Sequence, residues 1–445
     1  MRQTRDANYQ DLDKDDLIAL IIKQSEQIRL LSVQIVELKD QLAKNSRNSG
    51  KPPSSDGLKK PKPKSLREKG QRKTGGQNGH PGKTLCLVEI ADEVVVEHCP
   101  HCQCDLQAQA VERMERRQMF DLPPQRLRVT EHQAQVKRCT GCGELVKAHF
   151  PAGVETSVQY GAGLKAQIVY LSSYQLLPIA RLVELIDDVY GQRLSADTVL
   201  GMCEDVSVAV QPSLTIVKDA LLQADVAHCD ETGLRVGAKT QWLHVFSTPT
   251  LTFYAVHAKR GQDALRSIGL VAQFTGRLMH DAFVSYFVFD QCQHSLCHAH
   301  ILRELTFLFE QHGQGWANDL KTLLVTMKKA VAEARALQQF SLDPNLRHQL
   351  VARYHQLLQQ AWQDNPPLPP ARVAKRGRVK KSAAQNLLQR LETHHEAVLA
   401  FLHDFRVPFD NNLAERDLRM MKVKQKISGS FRTQTGANIF ATLRS

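Results

Sequence analysis

A strict heptad pattern near the amino terminus constrains the fold more than any other feature of this sequence. Between Asp13 and Lys44, apolar side chains recur at alternating steps of four and three residues. This 3.5-residue period favours a coiled coil over a helix that packs on its own domain. We therefore expect residues 1–46 to form a leucine zipper that drives homo-oligomerisation. Its seam consists of Leu17, Ile21, Gln24, Ile28, Leu31, Ile35, Leu38 and Leu42, with the polar Gln24 fixing register or partner number.

Positive charge is concentrated in two Pro- and Gly-rich segments. The 445-residue chain has a net charge of +12. Residues 47–83 contain eleven Lys and Arg against two acids, and residues 371–381 contain six with no acid. A solvated linker can have such a composition, but two of them in one chain favour sequence-independent contact with nucleic-acid phosphates. We expect residues 47–90 to be a basic flexible linker.

Composition and missing motifs exclude several classes of protein. No apolar run approaches the ~18 residues that a membrane span requires, and the first sixteen residues are too polar for a secretory signal. Ten cysteines, four of them in two CxxC pairs, indicate thiols and a metal in a reducing cytosol. The sequence contains no Walker loop, Gly-rich dinucleotide loop or GxSxG elbow. We expect a cytoplasmic protein without a membrane partner.

The two CxxC pairs predict a structural zinc site. Cys99 and Cys102 form the first pair, and Cys139 and Cys142 form the second after 36 intervening residues. Two such knuckles can present four thiolates tetrahedrally to Zn²⁺, as in a zinc ribbon. We expect a small β-rich module at residues 91–150 that depends on zinc because its own core is small. One ligand stays open, because three other potential ligands are close in sequence: His98, His101 and Cys104.

Residues 151–222 have helical sequence. Segments 180–189 and 196–209 could form a helix-turn-helix, with Ser195 as the N-cap of the second helix. The second helix has acids but no Lys or Arg, whereas a helix that reads DNA is normally basic. We therefore expect a structural pair of helices.

From residue 223 the pattern changes to short strands followed by helices, which predicts an α/β domain at residues 223–445. Asp230 lies within the first predicted strand, and Asp281 follows the last one. Helical sequence then dominates from 298 to 404. The predicted strands are 227–236, 241–247, 251–257 and 277–280.

One acid lies on a basic helix near the carboxyl terminus. At 3.6 residues per turn, Glu415, Arg419, Lys422 and Lys426 share one face. An ordinary solvated helix with i,i+4 ion pairs has the same pattern. A carboxylate among cations also suits a divalent metal beside a phosphate backbone. If Glu415 met Asp230 and Asp281, the three carboxylates could hold two Mg²⁺ ions for phosphoryl transfer.

Long motifs over most of the chain resemble transposases of the insertion sequence 66 family of bacterial mobile elements. The amino-terminal half has LAKNSRNSGKPPSSDG, TGGQNGHPG, CPHC and CTGCG. The carboxyl-terminal half has CDETG, WLHVFSTPTLTFYAVHAKRG, HDAFVSYF, LCHAHILREL and VPFDNNLAERDLRMMKVKQKISGSFR. The resemblance implies a leucine zipper, a zinc module, and an RNase H-like catalytic domain of the DDE type with a helical insertion at about 301–404.

The resemblance also implies roles for residues and partners. It makes Asp230, Asp281 and Glu415 the catalytic acids, which hold two Mg²⁺ (or Mn²⁺) ions. Cleavage at transposon ends would release a 3′-OH that attacks target DNA. Arg419, Lys422 and Lys426 would contact DNA phosphates. DNA is thus the implied partner, with small accessory proteins of the same element, in the bacterial cytoplasm at the nucleoid.

Two other functions fit part of the pattern: a zinc-containing DNA-binding regulator without catalysis, and an RNase H-like nuclease that cuts without joining. Three further expectations concern residues near the acids. Ala282 stands where the family usually has glycine, and because alanine can occupy most of the same backbone conformations, we expect this departure to matter little. Cys297-His-Ala-His300 resembles the CxxH signature that several DDE families place after the second acid. A metal role is one alternative for His300, but we expect a structural hydrogen-bonding role ahead of it, and no specific role for His298.

Overall fold

The computed structural model describes residues 13–51, 56, 92–366 and 381–445. These residues form two compact units. One lies within Met1–Lys62, Thr156–Glu184 and Leu194–Ser445, and the other within Pro63–Glu155 and Leu185–Arg193. Most of the basic linker predicted at 47–90, and nearly all of the basic segment at 371–381, lie outside the described residues. In the part of the chain that the structure describes, no helix is both long and apolar enough to cross a membrane.

The heptad segment forms one helix, α1 (Lys14–Ala43). Asp13 caps its start, because its side chain accepts hydrogen bonds from two backbone N–H groups of the first turn. At the other end, Asn48 closes the helix: its side chain donates to the Ala43 carbonyl and accepts from the backbone N–H of Asn45. No residue of α1 is buried, so its apolar seam has no partner within the described chain.

The second unit has almost no apolar core. Its strands β1 (Val136–Arg138) and β2 (Leu145–Lys147) form a short antiparallel pair. No residue between 92 and 155 is buried. Because so little apolar surface leaves water, this unit needs another source of stability, such as a structural metal.

Residues 162–222 are helical, as predicted. The elements are α2 (Ala162–Val169), a π-helical turn (Tyr170–Tyr174), α3 (Ile179–Tyr190), α4 (Ala196–Ala209) and α5 (Gln211–Leu222). The predicted N-cap is confirmed, because the Ser195 side chain accepts a hydrogen bond from the backbone N–H of Thr198.

A mixed five-stranded sheet is the centre of the first unit. Its strands, in chain order, are β3 (Val226–Val236), β4 (Lys239–Ser247), β5 (Thr252–His257), β6 (Arg277–His280) and β7 (Gln293–Leu296). The spatial order is β5-β4-β3-β6-β7. The first three strands form an antiparallel meander, whereas β6 and β7 run parallel to β3. Two short helices, α6 (Gln262–Ile268) and α7 (Leu270–Gln273), make the crossover to β6.

Five helices follow the sheet and share one apolar core. They are α8 (His298–His312), α9 (Gly315–Ala336), α10 (Pro344–Asp364), α11 (Ala383–Thr393) and α12 (His395–His403). His298 belongs to this core, so the expectation of no specific role was wrong. Its ring is fully buried, is bonded through Nδ1 to the Phe409 carbonyl at 2.9 Å, and stacks on the Phe409 ring. A buried imidazole needs such a partner.

The end of α1 contacts the start of this helical region. The Asp40 carboxylate lies 3.2 Å from Nε2 of His312, and Arg47 pairs with Glu310 at 2.7 Å. Both pairs are partly exposed, so each contributes only ~0–1 kcal/mol to stability.

The last two helices, α13 (Asn412–Ser428) and α14 (Gln434–Arg444), pack with β3, β4 and β5. Leu418 and Met421 of α13 are buried there together with Leu234 and Leu243 of the sheet. The turn between the helices is tied to β3, because the backbone N–H of Phe431 donates to the Arg235 carbonyl. Helix α13 therefore lies against the strand that carries the first predicted acid.

Gly276 allows β6 to approach β3, and its replacement should be costly. A Cβ at this position would lie 2.5 Å from the Ala224 carbonyl oxygen and 2.9 Å from that of Asp225. Because backbone atoms cannot swing away, we expect Gly276→Ala to lower the free energy of unfolding by at least about 2–3 kcal/mol. Chemical denaturation would measure it. Gly201→Ala is the control, because that helical glycine has open space and should gain about 0.5–1 kcal/mol. Equal effects would contradict the packing argument.

Candidate active site

The strand register brings the two predicted aspartates together. In the parallel pair of β3 and β6, Ala227 lies opposite Leu278 and His228 lies opposite Met279. Asp230 comes two positions after His228, and Asp281 comes two positions after Met279, so both acids lie just beyond the paired stretch and interact electrostatically. The carboxyl ends of neighbouring parallel strands meet at one edge of a sheet, which is where α/β proteins place their sites.

A buried asparagine attaches the third acid to the same strand. The side-chain amide of Asn411 donates to the Cys229 carbonyl at 2.8 Å, and its Oδ1 lies 2.8 Å from Nδ1 of His228. Asn411 is also the N-cap position of α13, and its carbonyl accepts from the backbone N–H of Glu415 one turn later. Glu415 is thus fixed near Cys229, the residue directly before Asp230.

The three acids form an electrostatic cluster, and Arg260 is a cation that interacts with Asp281. Burial raises the pKa of Asp230 well above its usual range, and the negative charge of nearby carboxylates raises it further. These carboxylates belong to Glu231, Asp281 and Glu415. The backbone N–H of Glu231 donates a hydrogen bond to the Asp230 carboxylate at 2.8 Å, and this bond offsets the rise in the pKa of Asp230 only in part. A dication at this position would relieve the repulsion.

Glu231 joins β3 to the segments that contain Arg260 and Tyr286, and this role was not predicted from the sequence. Its side chain is 1% exposed, accepts from Arg260 Nε at 2.6 Å, and accepts from the Tyr286 hydroxyl at 2.6 Å. Arg260 lies over the rings of Trp242 and Phe283. The sequence did contain a signal for this role, because Glu231 is an acid next to Asp230 inside a predicted strand. Neighbouring side chains of a strand point to opposite faces, so one of the two acids had to face away from the site, and a buried acid needs a partner.

A chain of hydrogen bonds fixes the turn at Asp281. Nδ1 of the fully buried His280 accepts from the backbone N–H of Ala282 at 3.2 Å, so its other ring nitrogen carries the proton. That nitrogen lies 3.1 Å from Nδ1 of His294, whose Nε2 in turn faces the Phe289 carbonyl. Burial lowers the pKa of His280, so this imidazole stays neutral. With both rings neutral, His280 donates to His294, and His294 donates to the Phe289 carbonyl.

Ala282 has one of the few backbone conformations that alanine adopts less easily than glycine, so the departure from glycine matters more than expected. Its φ is +71°, in the left-handed region, where a Cβ costs roughly 1–2 kcal/mol. Its neighbour Phe283 donates its backbone N–H to Oδ1 of Asp281 at 2.9 Å. The turn that orients Asp281 therefore favours glycine, and the alanine here is strained.

The donor set at this edge suits hard dications. Carboxylate oxygens are the ligands that Mg²⁺ prefers. Oxygens of Asp230, Asp281 and Glu415 do not all lie within 4.8 Å of one another among the described residues, as a single shared ion would require. The carboxylate chemistry therefore fits a dication, but the three groups do not form one closed ligand set in this structure.

The predicted DNA-contacting residues lie along α13. Arg419 and Lys426 are exposed. Lys422 reaches back to β3, where its Nζ donates to the Gly233 carbonyl at 3.0 Å, three residues after Asp230. The basic face of α13 therefore borders the acidic cluster.

Glu415 has two neighbours from the CHAH segment. Its Oε1 lies 3.7 Å from Nδ1 of His300, and neither atom is exposed or has a hydrogen-bond partner. The hydrogen bond expected for His300 is thus not formed at Nδ1. The second neighbour is Cys297, which is a buried free thiol. Cys229 and Cys292 of the same unit are also buried free thiols.

The four cysteines of the second unit lie on two turns of the same shape. Gln103 and Gly143, which follow the second cysteine of each pair, both have positive φ. The backbone N–H of each donates to the carbonyl of the first cysteine, Cys99 or Cys139. Hydrogen bonds lower the pKa of Cys102 and of Cys139, chiefly bonds from the backbone at Cys104 and Cys142. Each turn therefore favours thiolate and fits half of a zinc site.

Comparison with protein families gave three matches. The family model described as Transposase IS66 family matches residues 157–439, more than half of the chain and all three acids. The model described as zinc-finger binding domain of transposase IS66 matches residues 97–143, which include both CxxC pairs. A family of unknown function matches residues 5–85. The comparison with curated proteins gave no match.

The raised pKa of Asp230 predicts how metal-free protein responds to pH. A carboxyl group with a higher pKa folded than unfolded stabilises the fold below its unfolded pKa of about 3.9. That stabilisation is lost as pH rises through the folded pKa, by up to about 1.4 kcal/mol per pH unit. Asp230→Asn cannot ionise, so we expect it to lose less stability between acidic and neutral pH.

Chemical denaturation of both proteins at several pH values, with EDTA present to remove metal, would measure this difference in the free energy of unfolding. The control is Asp319→Asn, at an exposed position of α9, which should follow the wild-type curve. Parallel curves for wild type and Asp230→Asn would contradict the electrostatic account of the cluster.

Proposed function

Because the chain belongs to the IS66 family of transposases, we propose that it cleaves DNA at the ends of a mobile element and transfers the 3′-OH into target DNA. One observation carries the chemical part of this proposal. The parallel pairing of β3 with β6 ends just before Asp230 and Asp281 and leaves both acids at one edge of the sheet, where they interact electrostatically; Asn411 attaches the start of the Glu415 helix to the same strand. Three acids distant in sequence thus converge beside a basic helix, as metal-dependent phosphoryl transfer requires.

We also propose the RNase H-like assignment for residues 223–445. The mixed sheet supports it, with Asp230 on the central strand and Asp281 at the end of a neighbouring parallel strand. Helices α8–α12, which lie between β7 and α13, correspond to the insertion expected at about 301–404. The other proposed domains are the zipper at 1–46, the linker at 47–90, the zinc module at 91–150 and the helical region at 151–222.

Each acid has a role in this proposal. Asp230 would be shared by two Mg²⁺ (or Mn²⁺) ions, and Asp281 and Glu415 would each complete one. When bound, the ions activate the attacking oxygen and stabilise the leaving oxygen of the phosphodiester. Glu231 positions Asp230, because its bonds to Arg260 and Tyr286 join β3 to the segment after Asp281.

The chain's cations would hold the DNA. Arg419 and Lys426 on α13 would bind backbone phosphates near the acids, and Lys422 could do so by leaving the Gly233 carbonyl. The same charges would attract DNA regardless of its sequence, so binding should weaken as salt rises. Recognition of particular ends falls to other parts of the chain or to accessory proteins of the same element.

The zinc-finger match supports a structural Zn²⁺ in the second unit. We propose Cys99, Cys102, Cys139 and Cys142 as its ligands. Their turns favour thiolate, and the surrounding residues bury almost no apolar surface, so zinc would supply most of the folding energy of this unit.

Asp230→Asn should separate DNA binding from cleavage. The change removes one negative charge at the proposed metal site but keeps side-chain size and the distant cations. With Mg²⁺ and end-labelled DNA of the flanking element, we expect cleavage to fall by at least about 10³-fold while DNA affinity stays the same. Wild type with EDTA should behave likewise. Unchanged cleavage in Asp230→Asn would rule out the assignment.

Pre-cleaved ends would test whether the protein joins strands. Supplying DNA with free 3′-OH ends bypasses the first cut, so covalent joining to a target then reports the second step alone. Joined product supports a transposase. Cleavage without joined product would favour a nuclease that cuts without joining.

The exposed seam of α1 should drive self-association of a second copy of this chain. Two adjacent isoleucines offer a matched test: Ile21 lies in the seam, Ile22 lies outside it, and their exposed fractions are 63% and 62%. We expect Ile21→Glu to weaken association of the full chain in sedimentation experiments, because it buries charge in the seam. Ile22→Glu should have little effect. Equal effects would contradict the zipper.

A further inference from the structure

A second group of potential metal ligands lies beside the proposed magnesium site. Among the described residues, one group of three or more such side chains brings its ligand atoms within 4.8 Å of one another: Cys297, His300 and Glu415. Cys297 and His300 flank one turn at the start of α8, and Glu415 comes from the first turn of α13. The group thus joins two separate elements at one point.

The spacing within this group fits a metal better than direct contact. Nδ1 of His300 and Oε1 of Glu415 are 3.7 Å apart, which is too long for a hydrogen bond. Both atoms are inaccessible to solvent and have no hydrogen-bond partner. Zn–N and Zn–O bonds of about 2.0–2.2 Å place two ligand atoms of a tetrahedron about 3.4 Å apart. Two unsatisfied polar atoms at nearly this distance are costly unless something bridges them.

Cys297 is held in place by the backbone around it. Its Sγ accepts a hydrogen bond from the backbone N–H of Asn411 at 3.2 Å. Asn411 is itself fixed by β3, so the donor cannot move away. Burial raises the pKa of the Cys297 thiol to about 12, and the backbone N–H groups oppose this rise only in part. Without a metal the sulfur is therefore a neutral thiol, and a bound dication would have to displace its proton.

We propose that Cys297, His300 and Glu415 bind a Zn²⁺ ion through Sγ, Nδ1 and Oε1, with water as the fourth ligand. Sulfur and imidazole ligands favour zinc over magnesium, whereas the oxygen-only cluster at Asp230 and Asp281 favours magnesium. Binding releases the Sγ proton to solvent, so zinc affinity should rise with pH.

The shared glutamate couples the two sites. This step rests on the proposed function, in which Glu415 also holds a catalytic ion. Zinc at Oε1 would withdraw negative charge from the magnesium site and add a second dication nearby. Zinc should therefore weaken magnesium binding, and magnesium should weaken zinc binding by the same factor. The site would act as an inhibitory sensor of zinc.

Metal counting tests the site without any activity measurement. In the full chain, Cys99→Ser with Cys139→Ser removes the proposed knuckle site and leaves the new one. We expect this double variant to bind one equivalent of Co²⁺ with a thiolate-to-cobalt charge-transfer band. Adding Cys297→Ser should abolish the band, and adding His300→Gln should weaken Co²⁺ binding at least about tenfold. Circular dichroism, compared with the double variant, would establish that Cys297→Ser and His300→Gln leave the first unit folded.

The chain offers matched controls for both changes. Cys292 is as buried as Cys297, but its Sγ faces the Phe289 carbonyl, so Cys292→Ser should keep the band. His312 lies on the same helix as His300 with a similar exposed fraction, 28% against 26%, and also faces a carboxylate. His312→Gln should keep Co²⁺ binding. No thiolate band in the double variant, or a band that survives Cys297→Ser, would overturn the proposal.

A magnesium titration separates this inference from the proposed function. We expect the Mg²⁺ affinity of wild type to fall about tenfold when Zn²⁺ is present, and that of His300→Gln to stay constant. Equal Mg²⁺ affinity with and without zinc would overturn the sharing of Glu415. Absence of Mg²⁺-dependent cleavage in zinc-free wild type would instead overturn the proposed function and leave the metal count unaffected.

Discussion

The hydrogen bonds of Asn411 hold the candidate site together. This fully buried side chain satisfies the Cys229 carbonyl and the His228 ring, while its backbone contacts Cys297 and starts α13. A buried amide that lost these partners would cost about 1–3 kcal/mol for each unsatisfied group. The network therefore specifies one arrangement of β3, α8 and α13. It also determines where Glu415 lies, because the helix that carries this acid begins at Asn411.

Two neighbouring acids of the site, Glu231 and Asp230, differ in the partners that surround them. Glu231 is buried but has Arg260 and Tyr286 as partners, so it can serve as a rigid joint. Asp230 shares its surroundings with three acids, and burial raises its pKa. Such repulsion is unfavourable in a metal-free fold, and a dication bound there would relieve it. The backbone of Ala282, next to Asp281, is also strained. Strained backbone is often found at functional sites.

Local sequence predicted most elements but few of their contacts. The heptad helix and the first four strands of the sheet follow from periodicity, because side-chain spacing reflects helix and strand geometry directly. Strand β7 was missed, because its four residues, QHSL, are short and partly polar. Glu231 and His298 were missed as structural residues, because their roles depend on partners 55 and 111 positions away in the chain. No local pattern reports such partners.

The sequence by itself determined the family, the acids, the cysteine knuckles and the apolar seam of α1, because each is written in residue types at fixed spacing. Tertiary structure alone decided that Asp230 lies beside Asp281, since strand register comes from pairing between distant segments. It also decided that Glu415 lies beside the Cys297–His300 turn and within electrostatic reach of Asp230. The physical reason is that periodicity specifies which face of an element is buried, whereas packing specifies which other element covers that face.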